Sequence, residues 1–131
     1  MIGLDTNVLI RYFTQDDPHL SAIANRIIGG LSESSQGFIS IVTLAETIWV
    51  LARTYDRPRD DLVRVIRALL GTSVFRVQNE LQVYAAMEAL ESGTTGFSDA
   101  LIGAVDSWAG CSHTLTFDKK AARLPGFQLA R

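Results

Sequence analysis

The stretch MIGLDTNVLIRYF, residues 1–13, sets a carboxylate, a hydroxyl and an amide between two apolar runs. Met1 to Leu4 read as a short buried strand. Asp5 then caps a helix over Thr6–Thr14, because a short acidic side chain can accept a bond from a free first-turn N–H. A strand that ends on a polar residue and turns at once into a helix is the start of a strand–helix–strand unit.

The same alternation continues along the chain. Pro18 suits a helix start, and Leu20, Ile23, Ile27 and Leu31 follow at helical spacing, with Gly29 and Gly30 making this helix less regular. Ser32 to Gly37 is a polar loop and GFISIV (37–42) a second strand. TLAETIWVLARTY (43–55) forms a helix with Ala45, Ile48, Ala52 and Tyr55 inward. Pro58 restarts the chain into a helix striped by Leu62, Val65, Ile66 and Leu69. VFRV (74–77) is a third strand, Leu81 to Leu90 a helix, and GTTG (93–96) a turn. Ser98 caps a helix with Leu101, Ile102, Val105, Trp108 and Ala109. HTLTF (113–117) is a fourth strand, Asp118 opens a helical turn, and FQLA (127–130) is a fifth strand. Strands alternating with helices predict an α/β fold with a parallel sheet covered on both faces. No repeat or boundary divides the 131 residues, which suit one domain.

Four acids occupy similar places in this alternation. Asp5 and Asp118 each follow a strand, Asp99 lies in a first helical turn, and Glu46 lies shortly past the second strand. Each has a structural reading: plain caps for Asp5 and Asp118, a capping box from Thr43 to Glu46, and a helix-dipole partner in Asp99. Together they have another. The carboxyl ends of parallel strands share one edge, where ligands bind. Crowded carboxylates repel one another, and a hard divalent cation removes that cost. Acids without a histidine or cysteine cluster favour Mg²⁺ or Mn²⁺ over zinc. Thr6 and Asn7 can hold the carboxylates or a water in place, or simply cap the first helix.

Composition narrows the classes. No apolar run reaches the ~18 residues of a membrane helix, and no basic segment precedes an apolar stretch as in a secretory signal. Cys111 is the sole cysteine, which fits a reducing cytoplasm and a small buried side chain. A net charge of −2 argues against coating nucleic acid by charge alone. Arg53, Arg57, Arg59, Arg64 and Arg67 could still form a local basic strip, or pair with Asp56, Asp60 and Asp61. His19 and His113 read as surface residues. Asp106 is about 10 Å from Asp99 along the helix, too far to share an ion, and reads as exposed. Gly103 between them either leaves room for a ligand or abuts a neighbouring element.

LDTNVLI, TLAE, FSDALIGA and TFDKKAARLPG, in this order, resemble the PIN-domain ribonucleases, most closely the VapC-type toxins of toxin–antitoxin pairs. The resemblance spans nearly the whole chain. It implies one PIN-like domain over residues 1–131: a three-layer α/β/α sandwich around a mainly parallel sheet of four to five strands. It also implies a metal-dependent endoribonuclease. Asp5, Glu46, Asp99 and Asp118 become the catalytic, metal-binding acids, and Thr6, Asn7, Ser98 and Thr116 their supports. Asp5 and Asp99 are the main ligands, Asp118 binds through water or holds a second ion, and Glu46 ligates or takes a proton. Mg²⁺, with Mn²⁺ as its substitute, would activate water to cut RNA, leaving 5′-phosphate and 3′-hydroxyl ends. Close relatives often carry another acid where this chain has Gly96, which bears on a second metal position. Family members commonly form homodimers and are blocked by a cognate antitoxin, whose arginine can replace the cation's charge among the carboxylates.

Glu46, Trp49, Val50 and Arg53 share a helix face. Trp49 can contact an RNA base or a partner protein, with core packing the favoured alternative, and Arg53 can meet a phosphate or a surface acid. RNA maturation and DNA cleavage keep the same fold and metals. A receiver-type phosphoacceptor domain would need an acidic pair after the first strand and an Asp after a middle strand; this chain has Asp5 alone, then Val42 and Val77. An inactive binding scaffold is the remaining alternative.

Overall fold

Short strands that pass directly into capped helices build the whole chain. A computed structural model describes residues 1–93 and 95–131, folded as two compact units, Met1–Gln78 and Asn79–Arg131.

In the first unit, β1 (Ile2–Gly3), β2 (Gly37–Ile39) and β3 (Phe75–Val77) form a parallel ladder in the order β1-β2-β3. Ile2 pairs with Gly37, and Gly37 pairs in turn with Phe75. Two helices cross between each pair of strands: α1 (Thr6–Thr14) and α2 (Pro18–Gly29), then α3 (Ile41–Arg53) and α4 (Arg59–Gly71). The core gathers around the middle strand, where Ile39 is wholly buried with Leu9, Leu44, Leu51, Ile66 and Leu69. Gly37 makes room for this packing, since a Cβ there would stand 2.7 Å from Leu4 and 2.9 Å from Leu31.

Four expectations change here. The first strand is exposed, with only Leu4 buried, because β1 is an outer strand of its ladder. The second strand stops at Ile39 instead of reaching Val42. Ser40 Oγ accepts the Thr43 N–H at 3.1 Å and starts α3 two residues earlier, so this cap overrides the strand preference of Ile41 and Val42. The capping box from Thr43 to Glu46 is therefore absent. The inward face of α3 is Leu44, Thr47, Ile48 and Leu51, and only Ile48 of the expected stripe is among them.

α2 turns a different face inward than expected: Ser21, Ala24 and Ile28 are buried, while Leu20 is exposed and Ile23 and Ile27 are half-buried. Ser21 Oγ donates to the Arg11 carbonyl at 3.0 Å, and two small residues let the helix backbones approach. The α4 stripe of Leu62, Val65, Ile66 and Leu69 is buried as read from the sequence.

The second unit packs α5 (Glu80–Ser92) against α6 (Phe97–Trp108) through Val83, Ala86, Met87, Leu90, Phe97 and Leu101. Gly93, at φ 83°, closes α5. Thr94 of the expected GTTG turn lies outside the described residues. A second parallel ladder joins β4 (Thr114–Thr116) to β5 (Phe127–Leu129), with a short 3-10 helix over Ala121–Arg123 between them. α6 begins from Gly96 without a side-chain cap, so Ser98 is already inside the helix. Ile102 and Trp108 are exposed, which narrows the expected stripe to Leu101. Gly103 is the floor for the Phe127 ring: a Cβ there would stand 2.5 Å from Cε2. Cys111 is exposed, not buried, in the turn after Gly110. Parallel pairing with helical crossovers is the α/β class expected from the sequence.

Candidate active site

Asp5 follows β1 and is the N-cap of α1, where its Oδ1 accepts the Thr6 N–H at 2.8 Å. The carboxylate is exposed, and it faces the positive end of the α1 dipole. Thr6 is buried, and its hydroxyl donates to Oε1 of Glu46 in the second turn of α3. Both helices leave the carboxyl ends of parallel, adjacent strands. The alternation of the first unit therefore brings Glu46 to the residue next to Asp5. Asn7 is exposed and lines a groove of about 350 Å³ with Val8, Arg11, Leu20, Ile23, Ala24 and Ile27.

In the second unit, Asp99 is the third residue of α6 and is half-buried, as is Ser98. Asp118 follows β4. Its Oδ1 accepts the N–H groups of Lys120 at 2.8 Å and Ala121 at 3.3 Å, while its own N–H donates to Thr116 Oγ1 at 3.0 Å. Thr116 thus holds the backbone that carries Asp118. Among the described residues, no three acids, histidines or cysteines are gathered as a preformed metal cluster.

The surroundings differ from the sequence reading in several places. Trp49 is 55% exposed, not packed in the core, and the Arg53 guanidinium lies 5.7 Å from its ring centroid. Asp106 is half-buried and accepts the Thr114 hydroxyl at 2.8 Å, tying α6 to β4. His19 and His113 are exposed as expected. Of the arginine-rich segment, Arg64 pairs with Asp61 at 2.7 Å and Arg57 donates to the Phe13 carbonyl at 3.4 Å.

Sequence reading also missed a polar knot around Asp16. Its carboxylate accepts from the Thr14 hydroxyl at 2.8 Å, the Tyr55 hydroxyl at 2.8 Å and Arg11 Nη1 at 3.0 Å. These bonds, led by that from Thr14, hold its pKa down to about 2. The same Asp16 raises the Tyr55 phenol and the Arg11 guanidinium above their ordinary values. The knot fastens the end of α1 to the chain just past α3. The apolar spacing puts Tyr55 on the inward face of its helix, but Tyr55 lies past the end of α3 and its hydroxyl bonds to Asp16.

The PIN domain family model matches residues 2–126. The chain belongs to the PIN domain family. The match covers most of both units, stopping just before β5, and includes Asp5, Glu46, Asp99 and Asp118. Its helix–strand order and parallel pairing are those of a PIN-like α/β/α fold. PIN domains are generally nucleases, hydrolases that typically use divalent metals, so this is a nuclease-type fold. No curated protein matches the chain. No helix among the described residues is long and apolar enough to cross a membrane.

Proposed function

We propose that this PIN domain is a Mg²⁺-dependent endoribonuclease of the VapC type, the toxin of a type II toxin–antitoxin pair. In this reading residues 1–131 act as one catalytic domain, supported by a family match that runs through both units. Asp5, Glu46, Asp99 and Asp118 are the metal-binding and catalytic acids. Thr6, Asn7, Ser98 and Thr116 support them.

The observation that carries the reading is the hydrogen bond from Thr6 to Glu46. It holds an acid from α3 to Thr6, the residue that follows the α1 cap Asp5, a bond that neither helix start requires. The donor set fits the ion, because it is carboxylate oxygen throughout and oxygen suits a hard divalent cation. Bound there, Mg²⁺, or Mn²⁺ in its place, supplies Lewis acidity that lowers the pKa of water and offsets charge on a scissile phosphate. The protein's own residues supply position. Asp5 is held by its cap bond, Glu46 by Thr6, and Asp118 by two N–H groups, so these carboxylates would ligate a cation with little freedom left to lose. Glu46 is suited to ligate or to take a proton. Hydrolysis by water leaves a 5′-phosphate and a 3′-hydroxyl.

The toxin role, a cytoplasmic location, a homodimer and a cognate antitoxin complete the proposal, on the strength of the four motifs quoted above. Incubation of the purified protein with total RNA in Mg²⁺, Mn²⁺ or EDTA tests the chemistry, with Asp5→Asn beside the wild type and the cut ends mapped. Metal-dependent cuts with 5′-phosphates are expected. Cleavage that survives both EDTA and Asp5→Asn, or cyclic phosphate ends, overturns it. Growth arrest on expression, relieved by the product of an adjacent small reading frame, tests the toxin role.

A further inference from the structure

Glu46 belongs to a stripe that the chemistry above leaves partly unused. Val42, Glu46, Trp49 and Arg53 follow at intervals of three or four residues and so share one face of α3. All four are exposed, Val42 at 76% and Trp49 at 55%. A single exposed apolar residue calls for no partner. Here an indole, a guanidinium and a candidate catalytic carboxylate occupy one line.

Arg53 lies over the Trp49 ring at 5.7 Å, within cation–π range. Among the described residues it forms no ion pair. Its positive charge is therefore free to meet an anion while the stack holds both side chains in place. An indole surface beside an unpaired cation is the combination by which proteins take hold of single strands, the base on the ring and the phosphate on the cation. Glu46 and Arg53 are about 10 Å apart along the helix axis, within the reach of a short length of strand.

We propose that Trp49 and Arg53 form a binding platform for single-stranded nucleic acid beside Glu46, with a base stacked on the indole and a phosphate on the guanidinium. The proposal rests on the nuclease reading and deepens it, since it assigns contact with the strand to two residues outside the acids. A protein helix fits the face less well. A packing seam asks for apolar residues at successive positions, and this stripe alternates Val42 and Trp49 with the charges of Glu46 and Arg53.

Trp108→Phe leaves Trp49 as the only tryptophan. That protein is titrated in EDTA with oligouridylate and with the matching oligodeoxyuridylate, following indole emission. Quenching is expected in at least one titration. Trp49→Ala should weaken binding about tenfold while Trp49→Phe keeps most of it, and Arg53→Ala should lower the salt slope of binding by about one. In Mg²⁺, Trp49→Ala should raise KM more than it lowers kcat. Unmoved emission, with equal binding by Trp49→Ala and by wild type, overturns the platform; metal-dependent cleavage in the same preparation would leave the nuclease reading standing. A dimer that Trp49→Ala converts to monomer, seen by sedimentation, assigns the face to protein contact and also overturns it. A wild type that neither binds nor cuts any strand removes both readings together.

Discussion

The Thr6 hydroxyl donates to the Glu46 carboxylate across a sequence separation of 40 residues. Thr6 is buried and Glu46 is exposed, so a fixed group in the core orients a mobile one at the surface. A long acidic side chain on a helix ordinarily samples several rotamers, and this bond selects one.

Thr6→Val keeps the shape of the side chain and deletes the donor. Cleavage should fall about tenfold or more, in line with losses on removing groups that orient metal ligands. Stability should fall by only about 1 kcal/mol, because the bond's acceptor remains open to water. If Thr6 acts through Glu46, adding Thr6→Val to Glu46→Gln should cost little further activity. Rate measurements on the two single variants and the double variant, beside thermal melts, check this. An unchanged rate in Thr6→Val would separate the hydrogen bond from catalysis.

Asp5 has two tasks that two substitutions can divide. Asn also caps helices well, so Asp5→Asn should melt close to wild type and yet lose metal-dependent cleavage. Asp5→Ala loses the cap as well, at a further cost of about 1 kcal/mol. Chemical denaturation and RNA cleavage, measured on both variants, test the division. Equal stability of the two variants would show that the bond from Thr6 N–H to Asp5 contributes nothing to the fold.

The alternation of strands and helices was legible because it rests on local signals. Asp5 before Thr6 and Pro18 at a helix start mark α1 and α2 where the structure has them. The faces of α2 and α3 were less legible. Their inward residues include Ser21 and Thr47, which are buried because their hydroxyls bond to main-chain carbonyls at 3.0 and 2.7 Å. A reading by apolar spacing passes over such residues. Ser40 was missed for a related reason: Ile41 and Val42 favour a strand, and one side-chain bond reverses that preference. In the candidate site, the sequence pointed to Asp5 and Glu46 and to Thr6 as a support, and the structure adds that the acid Thr6 holds is Glu46. That pairing is not legible in sequence because it depends on two helices meeting.

The Asp16 knot predicts a pH response. Its carboxyl sits at about 2 in the folded chain, below the ~3.9 of an unfolded one. A lowered acid pKa stabilises the fold above the unfolded value, and that contribution is lost as pH falls from about 4 through about 2. The Tyr55 phenol shifts upward, so its contribution is complete below the unfolded value near 10 and is lost at more alkaline pH. Asp16→Asn keeps an acceptor but cannot titrate. Its stability should change less steeply than that of wild type between pH 4 and pH 2, as read from urea midpoints across that range. Parallel curves would mean that the hydrogen bonds from Thr14 and Tyr55 do not persist in solution.

Gly103 gives a prediction whose sign depends on a neighbour. In an open helix, alanine in place of an interior glycine stabilises by about 1 kcal/mol. Here the new Cβ would stand 2.5 Å from Phe127 Cε2, too close for the ring to remain where it is. Overpacking of this kind costs about 1–3 kcal/mol, which outweighs the helix gain. Gly103→Ala should therefore lower the melting temperature. With Phe127→Leu already present, the ring edge is gone, and the same substitution should raise it. Melts of the two single variants and the double variant decide the matter. A stabilising Gly103→Ala in the wild-type background would show that β5 shifts away from α6 at little cost.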